Sequence, residues 1–126
     1  MKVFITGGAG FIGSHIVDKL AAKGHEITVF DNLSSGKMEF LKDHENKDYF
    51  NFIKGDLIDF EKIKESLKDH DQVYHIAANP DVRLGAEKPE IAKIDMIATY
   101  NLLDAMRQED IKEIVFSSSS VIYGET

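Results

Sequence analysis

The sequence predicts an α/β domain in which helices cover both faces of a parallel β-sheet. Three observations predict it. Apolar runs short enough to be buried strands recur along the whole chain. Segments with apolar residues at helical spacing separate them. A glycine-rich turn, T-G-G-A-G-F-I-G, joins the first apolar run to the first helical segment. Strands alternating with helices in this way call for parallel pairing through right-handed crossovers.

The elements follow in order. Val3-Phe4-Ile5 is a strand stopped by Gly7 and Gly8. Ile12, Ile16 and Leu20, with Val17 and Ala21 beside them, form the apolar face of a helix that Gly24 ends. Ile27 to Phe30 is a second strand, and D-N-L-S-S-G a loop after it. Met38, Phe40 and Leu41 suggest a short helix, and K-D-H-E-N-K-D a solvated stretch beyond it. Phe50 to Ile53 is a third strand. Asp59 is placed to cap a helix carrying Phe60, Ile63 and Leu67. Val73 to Ile76 is a fourth strand. A long helix runs over about 87–107, with Ile91, Ile94, Ala98, Leu102 and Ala105 on one stripe. Ile114 to Phe116 is a fifth strand, and it leads straight into S-S-S-S-V-I-Y-G.

Composition limits the function classes. A chain of 126 residues fits one domain with a real core. A net charge of −7 argues against a nucleic-acid or anionic-membrane surface, so no partner of either kind is expected. With no cysteine, there is neither a disulfide framework nor a thiolate metal site. The five histidines show no metal-ligand spacing and read as packing or surface residues, so no metal is expected. The apolar run before the first glycines is too short for a signal peptide, and no later segment reaches a membrane span. A cytoplasmic setting is the expectation.

The glycine turn contains Gly8-x-Gly10-x-x-Gly13, and read from Gly7 it is Gly7-x-x-Gly10-x-x-Gly13. Following a strand and opening a helix, that is the setting of a dinucleotide fingerprint. Glycine permits the tight turn and lets backbone N–H groups approach a pyrophosphate at the positive end of the helix. Asp31 ends the second strand, about 20 residues on, where a carboxylate accepts both ribose hydroxyls of an adenosine. It would repel a 2′-phosphate, and Asn32 rather than an arginine follows it. NAD is therefore the expected cofactor, in preference to NADP. Asp56, after the third strand, is a candidate for the adenine edge, with a simple turn aspartate as the alternative.

Five motifs in series carry a resemblance: TGGAGFIG, DNLSSG, GDL, HIAA and FSSSSVIYG, with AANPDVR after the fourth strand. Together they resemble the extended short-chain dehydrogenase/reductase family, in its NAD-dependent epimerase/dehydratase branch, and within it the UDP-glucose 4-epimerases. The resemblance implies a Rossmann domain over residues 1–126, with five parallel strands in order 3-2-1-4-5, lacking the substrate-binding part that follows in the family. It implies Gly7, Gly10, Phe11 and Ile12 around the pyrophosphate and Gly13 packing the helix. It places Asp31 and Asn32 on the adenosine ribose with Ser35 and Gly36 nearby. Asp56 and Leu57 border the adenine, and Ala77 and Ala78 are small where the cofactor crosses. Counting back from Tyr123 makes Ser119 the catalytic hydroxyl.

The implied activity is NAD-dependent epimerisation of a UDP-hexose at carbon 4, through a 4-keto sugar. The family's long helix also lines a homodimer interface. This chain departs from the pattern in two places. The family's base is a tyrosine followed four residues later by lysine, and none of Tyr49, Tyr74, Tyr100 or Tyr123 has that lysine. Its Asn-x-x-Gly-Thr reads Asp95-x-x-Ala98-Thr99 here. Two alternatives stand beside epimerisation. One is a nucleotide-sugar dehydratase or reductase, although Ser120 and Val121 stand where dehydratases carry acidic residues. The other is an NAD-binding module without catalysis. Arg83 could face a substrate phosphate or carboxylate, or a surface ion pair.

Overall fold

The structure is a computed structural model. The description covers residues 1–77 and 89–117, apart from the side chains of residues 91 and 92. Ala78, Arg83 and Ser119 lie outside it.

The chain forms β1 (Lys2–Thr6), α1 (Phe11–Ala22), β2 (Glu26–Asp31), a 3₁₀ turn (Met38–Leu41), β3 (Phe50–Lys54), α2 (Phe60–Leu67), β4 (Gln72–His75), α3 (Pro89–Gln108) and β5 (Glu113–Phe116). The strands make one sheet in the order β3-β2-β1-β4-β5, and every pairing is parallel. This is the order the sequence implied. The strands run slightly beyond their apolar runs, because pairing extends to charged neighbours such as Lys2 opposite Glu26 and Asp31 opposite Lys54.

Alternation along the strands splits the core into two layers. Val3, Ile5, Ile27 and Val29 pack with Val17 and Leu20 of α1. Phe4, Phe30 and Val73 point the other way, against Ile63 and Leu67 of α2 and Leu102, Ala105 and Met106 of α3. Both faces of β1 and β2 are thus covered, which is why these strands read as unbroken apolar runs. Each such side chain contributes roughly 1.5–3 kcal/mol on burial. Helix α1 ends in a Schellman motif: the Gly24 amide donates to Ala21 O at 3.0 Å and the His25 amide to Leu20 O at 3.2 Å. Helix α2 begins as expected, with Asp59 as its cap.

Ile12, on the apolar face of α1 and set around the pyrophosphate by the resemblance, is 61% exposed. One expectation about the core needs correction. Ile94 was counted in the buried stripe of α3, but it is 48% exposed. Ile12 and Ile94 both line a cleft. Helix α3 also carries a second apolar stripe, Met96, Ile97, Tyr100 and Leu103, that is exposed, as is all of β5. Among the described residues no helix is long and apolar enough to cross a membrane.

Candidate functional site

The cleft that Ile12 and Ile94 line has a volume of about 750 Å³ and sits at the C-terminal ends of the strands. In open α/β sheets that end, where the strand order reverses between β1 and β4, is the usual ligand position. A smaller hollow of about 270 Å³ lies at the opposite end, among Lys2, Glu26, Asp48, Lys68 and His70.

The glycine turn forms one wall. Gly7 has φ +72°, and a Cβ there would come within 2.7 Å of the Ala77 nitrogen, so both backbone conformation and space demand glycine. At Gly13 a Cβ would stand 2.1 Å from Gly7 O, so the missing side chain is what lets α1 pack on the turn. Gly10 is different. Its backbone is extended (φ −79°, ψ 178°), and a Cβ would meet nothing nearer than Gly7 O at 3.4 Å. The fold itself does not require glycine at position 10. Gly10 is also the N-cap of α1, yet no side chain caps the helix and its first turn holds no acid. The start of α1 thus presents the positive end of its dipole with no acid of its own in the first turn. Phe11 and Ile12, 72% and 61% exposed, flank that end.

Asp31 stands at the tip of β2, only 8% exposed. Its two oxygens accept amide hydrogens from Ala9 at 3.0 Å and Leu33 at 2.7 Å. These bonds fix the carboxylate against the glycine turn and leave each oxygen a further acceptor position. The bond to Leu33 also holds that residue at φ +61°, an unfavourable conformation for a leucine. Asn32 Oδ1 accepts the Ser34 amide at 2.9 Å, and the Lys37 amide donates to Ala9 O at 2.9 Å, closing the loop onto the turn. Asn32, Ser35 and Gly36 all line the cleft.

The other wall comes from three segments. Asp56 and Leu57 follow β3, with Asp56 Oδ1 accepting the Ile58 amide at 3.1 Å. This is the turn bond the sequence allowed as its alternative role. Ile76 and Ala77 follow β4, and Ile94, Asp95 and Ala98 come from α3. Asn101 of α3 donates to Leu57 O at 3.0 Å, joining two of these segments. Beneath them His75 is 2% exposed, bonded to Thr6 at 2.7 Å and to Thr99 at 3.1 Å. Burial lowers its pKa below the ordinary 6.5, with the charge of Asp95 acting in the opposite direction.

Gly7, Gly10, Phe11, Ile12, Gly13, Asp31, Asn32, Ser35, Gly36, Asp56, Leu57 and Ala77 therefore line one cleft. Ala78 and Ser119, which the sequence placed with them, lie outside the described residues. Ser117 donates from its hydroxyl to His75 O at 3.4 Å. The sequence did not show that α3 supplies a wall. The signal was there in Ile94, an isoleucine near the helix start that the core does not need. Two other histidines make structural contacts: His44 bridges Asp18 at 2.6 Å and Tyr49 at 2.7 Å, and His70 reaches Thr28 at 2.9 Å. No grouping suited to a metal occurs among the described residues.

A sequence profile described as "NAD dependent epimerase/dehydratase family" matches residues 3–126. A putative UDP-glucose 4-epimerase of Methanocaldococcus jannaschii is 40% identical over 98% of this chain and 40% of its own. A UDP-N-acetylglucosamine 4-epimerase from Methanobrevibacter ruminantium, solved with UDP-N-acetylmuramic acid, superposes with a TM-score of 0.89 at 43% identity, covering 99% of this chain and 40% of that one. A UDP-glucose 4-epimerase from Thermus thermophilus, solved with NAD, superposes with a TM-score of 0.84 at 38% identity, covering 94% of this chain and 38% of the other. The chain spans about 40% of the length of each of these three relatives. The strand order, the glycine turn with Asp31 beside it and the match over nearly the whole chain agree: the chain belongs to the NAD dependent epimerase/dehydratase family.

Proposed function

We propose that residues 1–126 form the NAD-binding part of a sugar-nucleotide epimerase that acts on a UDP-hexose at carbon 4. Gly10 carries the cofactor half of this reading. It is a helix N-cap without a capping side chain, at a position where neither backbone angles nor neighbours require glycine. A pyrophosphate approaching the amides of α1 supplies the reason. Asp31, held by two amides, takes the adenosine ribose hydroxyls, with Asn32, Ser35 and Gly36 beside it. Asp56 and Leu57 border the adenine, while Ala77 and Ala78 leave room at the far end.

NAD, when bound, exchanges hydride with the sugar, and the protein positions and polarises the reactants. Ser119 hydrogen-bonds the sugar's 4-oxygen as it passes between hydroxyl and ketone. The relatives support a nucleotide sugar, and the exposed stripe of α3 supports pairing of two copies through that helix. A cytoplasmic setting belongs to the same reading. A second reading rests on the tyrosines. Ile53, Ala78 and Asp104 stand four residues after Tyr49, Tyr74 and Tyr100, so none of these has a partner lysine to lower its pKa. On that reading the 126-residue chain binds NAD without turning over sugar.

Titration with NAD and NADP, followed by an assay of UDP-galactose turnover, tests both. NAD should bind more tightly than NADP, and Asp31→Ala should weaken NAD and narrow the difference. Turnover by these 126 residues should fall on the order of 10²–10⁴-fold below that of an enzyme with its base. Tighter binding of NADP would overturn the role of Asp31. Robust turnover would overturn the second reading.

A further inference from the structure

Thr6 ends β1 and is fully buried. Its hydroxyl oxygen lies 3.1 Å from the Ile76 amide, 3.2 Å from the Ala77 amide and 2.7 Å from His75 Nδ1. A threonine hydroxyl has two acceptor positions and one hydrogen. The two amides can only donate and between them take both acceptor positions, the Ile76 amide being shared with Thr6 O, also at 3.1 Å. The hydroxyl hydrogen is then left for His75, and Nδ1 must receive it without a proton of its own. The ring proton is therefore on Nε2, which donates to Thr99 Oγ1 on α3 at 3.1 Å. With both amides on the hydroxyl, the donors and acceptors match one tautomer of one neutral imidazole.

Two observations give this chain a purpose beyond packing. Ile76 and Ala77 line the cleft. Ala77 also lies against Gly7, so closely that a Cβ on Gly7 would stand 2.7 Å from the Ala77 nitrogen. The place of the Ala77 backbone therefore limits the place of the glycine turn. We propose that neutral His75 is a positioning residue for the nucleotide cleft: by accepting the Thr6 hydrogen it holds the Ile76–Ala77 backbone under the glycine turn, and by donating to Thr99 it fixes α3 against the same floor.

A proton on Nδ1 would meet the Thr6 hydrogen. The hydroxyl would have to turn, and the Ala77 amide would lose this acceptor, while the Ile76 amide would keep Thr6 O. Nucleotide binding should then weaken as pH falls. The described groups around the ring are Thr6 on β1, Thr99 and Asp95 on α3 and the Phe116 ring on β5, and of these only Asp95 is ionisable. Burial opposes protonation and Asp95 favours it, with burial the larger effect. The sign for stability is the same. Between the folded value and 6.5 the unfolded chain binds more protons, so His75's contribution is whole above 6.5 and is lost as pH falls below it.

The inference rests on the NAD reading for its binding measurement but not for its tautomer. In the free chain, ¹⁵N spectra of the imidazoles should show His75 with its proton on Nε2. NAD affinity, measured between about pH 5 and 8, should weaken on the order of three- to ten-fold towards the acid end. His75→Asn puts an amide oxygen near the place of Nδ1 but cannot titrate or reach Thr99, so its affinity should be lower and its pH profile flat. Thr6→Ser should keep wild-type behaviour and Thr6→Val should not. His15→Gln, which removes the exposed histidine beside Phe11, should keep the slope. A proton on Nδ1 of His75 overturns the proposal, as does a slope that survives His75→Asn or vanishes in His15→Gln. If no NAD binds at any pH, the cofactor reading fails, and the tautomer decides the hydrogen-bond chain by itself.

Discussion

Helices α1 and α2 both begin after a strand, at the same end of the sheet, and they begin in opposite ways. Asp59 caps α2, its carboxylate accepting the Lys62 amide at 3.2 Å, and Glu61 adds an acid to the first turn. Such a cap contributes about 1 kcal/mol and a first-turn acid roughly 0.3–1 kcal/mol. Helix α1 has neither. It is held by burial of Val17 and Leu20, by the Schellman motif at its other end and by the close approach of Gly13 to the turn. The contrast separates two uses of a helix start. Helix α2 satisfies its amides from within and is a structural support. Helix α1 leaves stability unclaimed at the end that lines the cleft.

The strongest way to break this comparison is to give α1 the cap that α2 has. Gly10→Asp has space and a permitted backbone, so thermal stability should hold or rise slightly. NAD binding should nevertheless fall about 100-fold or more, because a fixed carboxylate would stand where the pyrophosphate goes. Calorimetric titration beside a melting curve reads both, and a variant that keeps its affinity would contradict the phosphate role of this helix. A smaller effect is expected at Gly13. A methyl group there meets Gly7 O at 2.1 Å, so Gly13→Ala should lose about 1–3 kcal/mol of stability in denaturant unfolding, with binding weakened alongside. Unaltered stability would show that the turn can move away. Smallest is Asp59→Ala, which should cost about 1 kcal/mol in the same unfolding measurement and leave NAD affinity unchanged. A marked loss of affinity there would erase the distinction between the two helix starts.

The strands were legible because each is a short apolar run, and their order was implied by the resemblance that the motifs at the strand ends carry. The cleft residues were legible where glycine or aspartate stood at strand ends. Ile94 was not, because spacing marks an apolar residue without telling whether it faces the core or an open cleft. The tie through His75 was hidden for another reason. The residue read as structural, and it is buried, but its partners Thr6 and Thr99 are 69 and 24 positions away. Only the fold brings those hydroxyls to the ring.

That distance also sets an order in time. The glycine fingerprint is made before the backbone it rests on, which follows β4. The Ile76 amide that bonds Thr6 lies 70 positions downstream. At about 5–20 residues per second of synthesis, the fingerprint waits on the order of 4–14 seconds for its floor. Before β4 joins the sheet, the motif is present in the nascent chain but the finished turn is not.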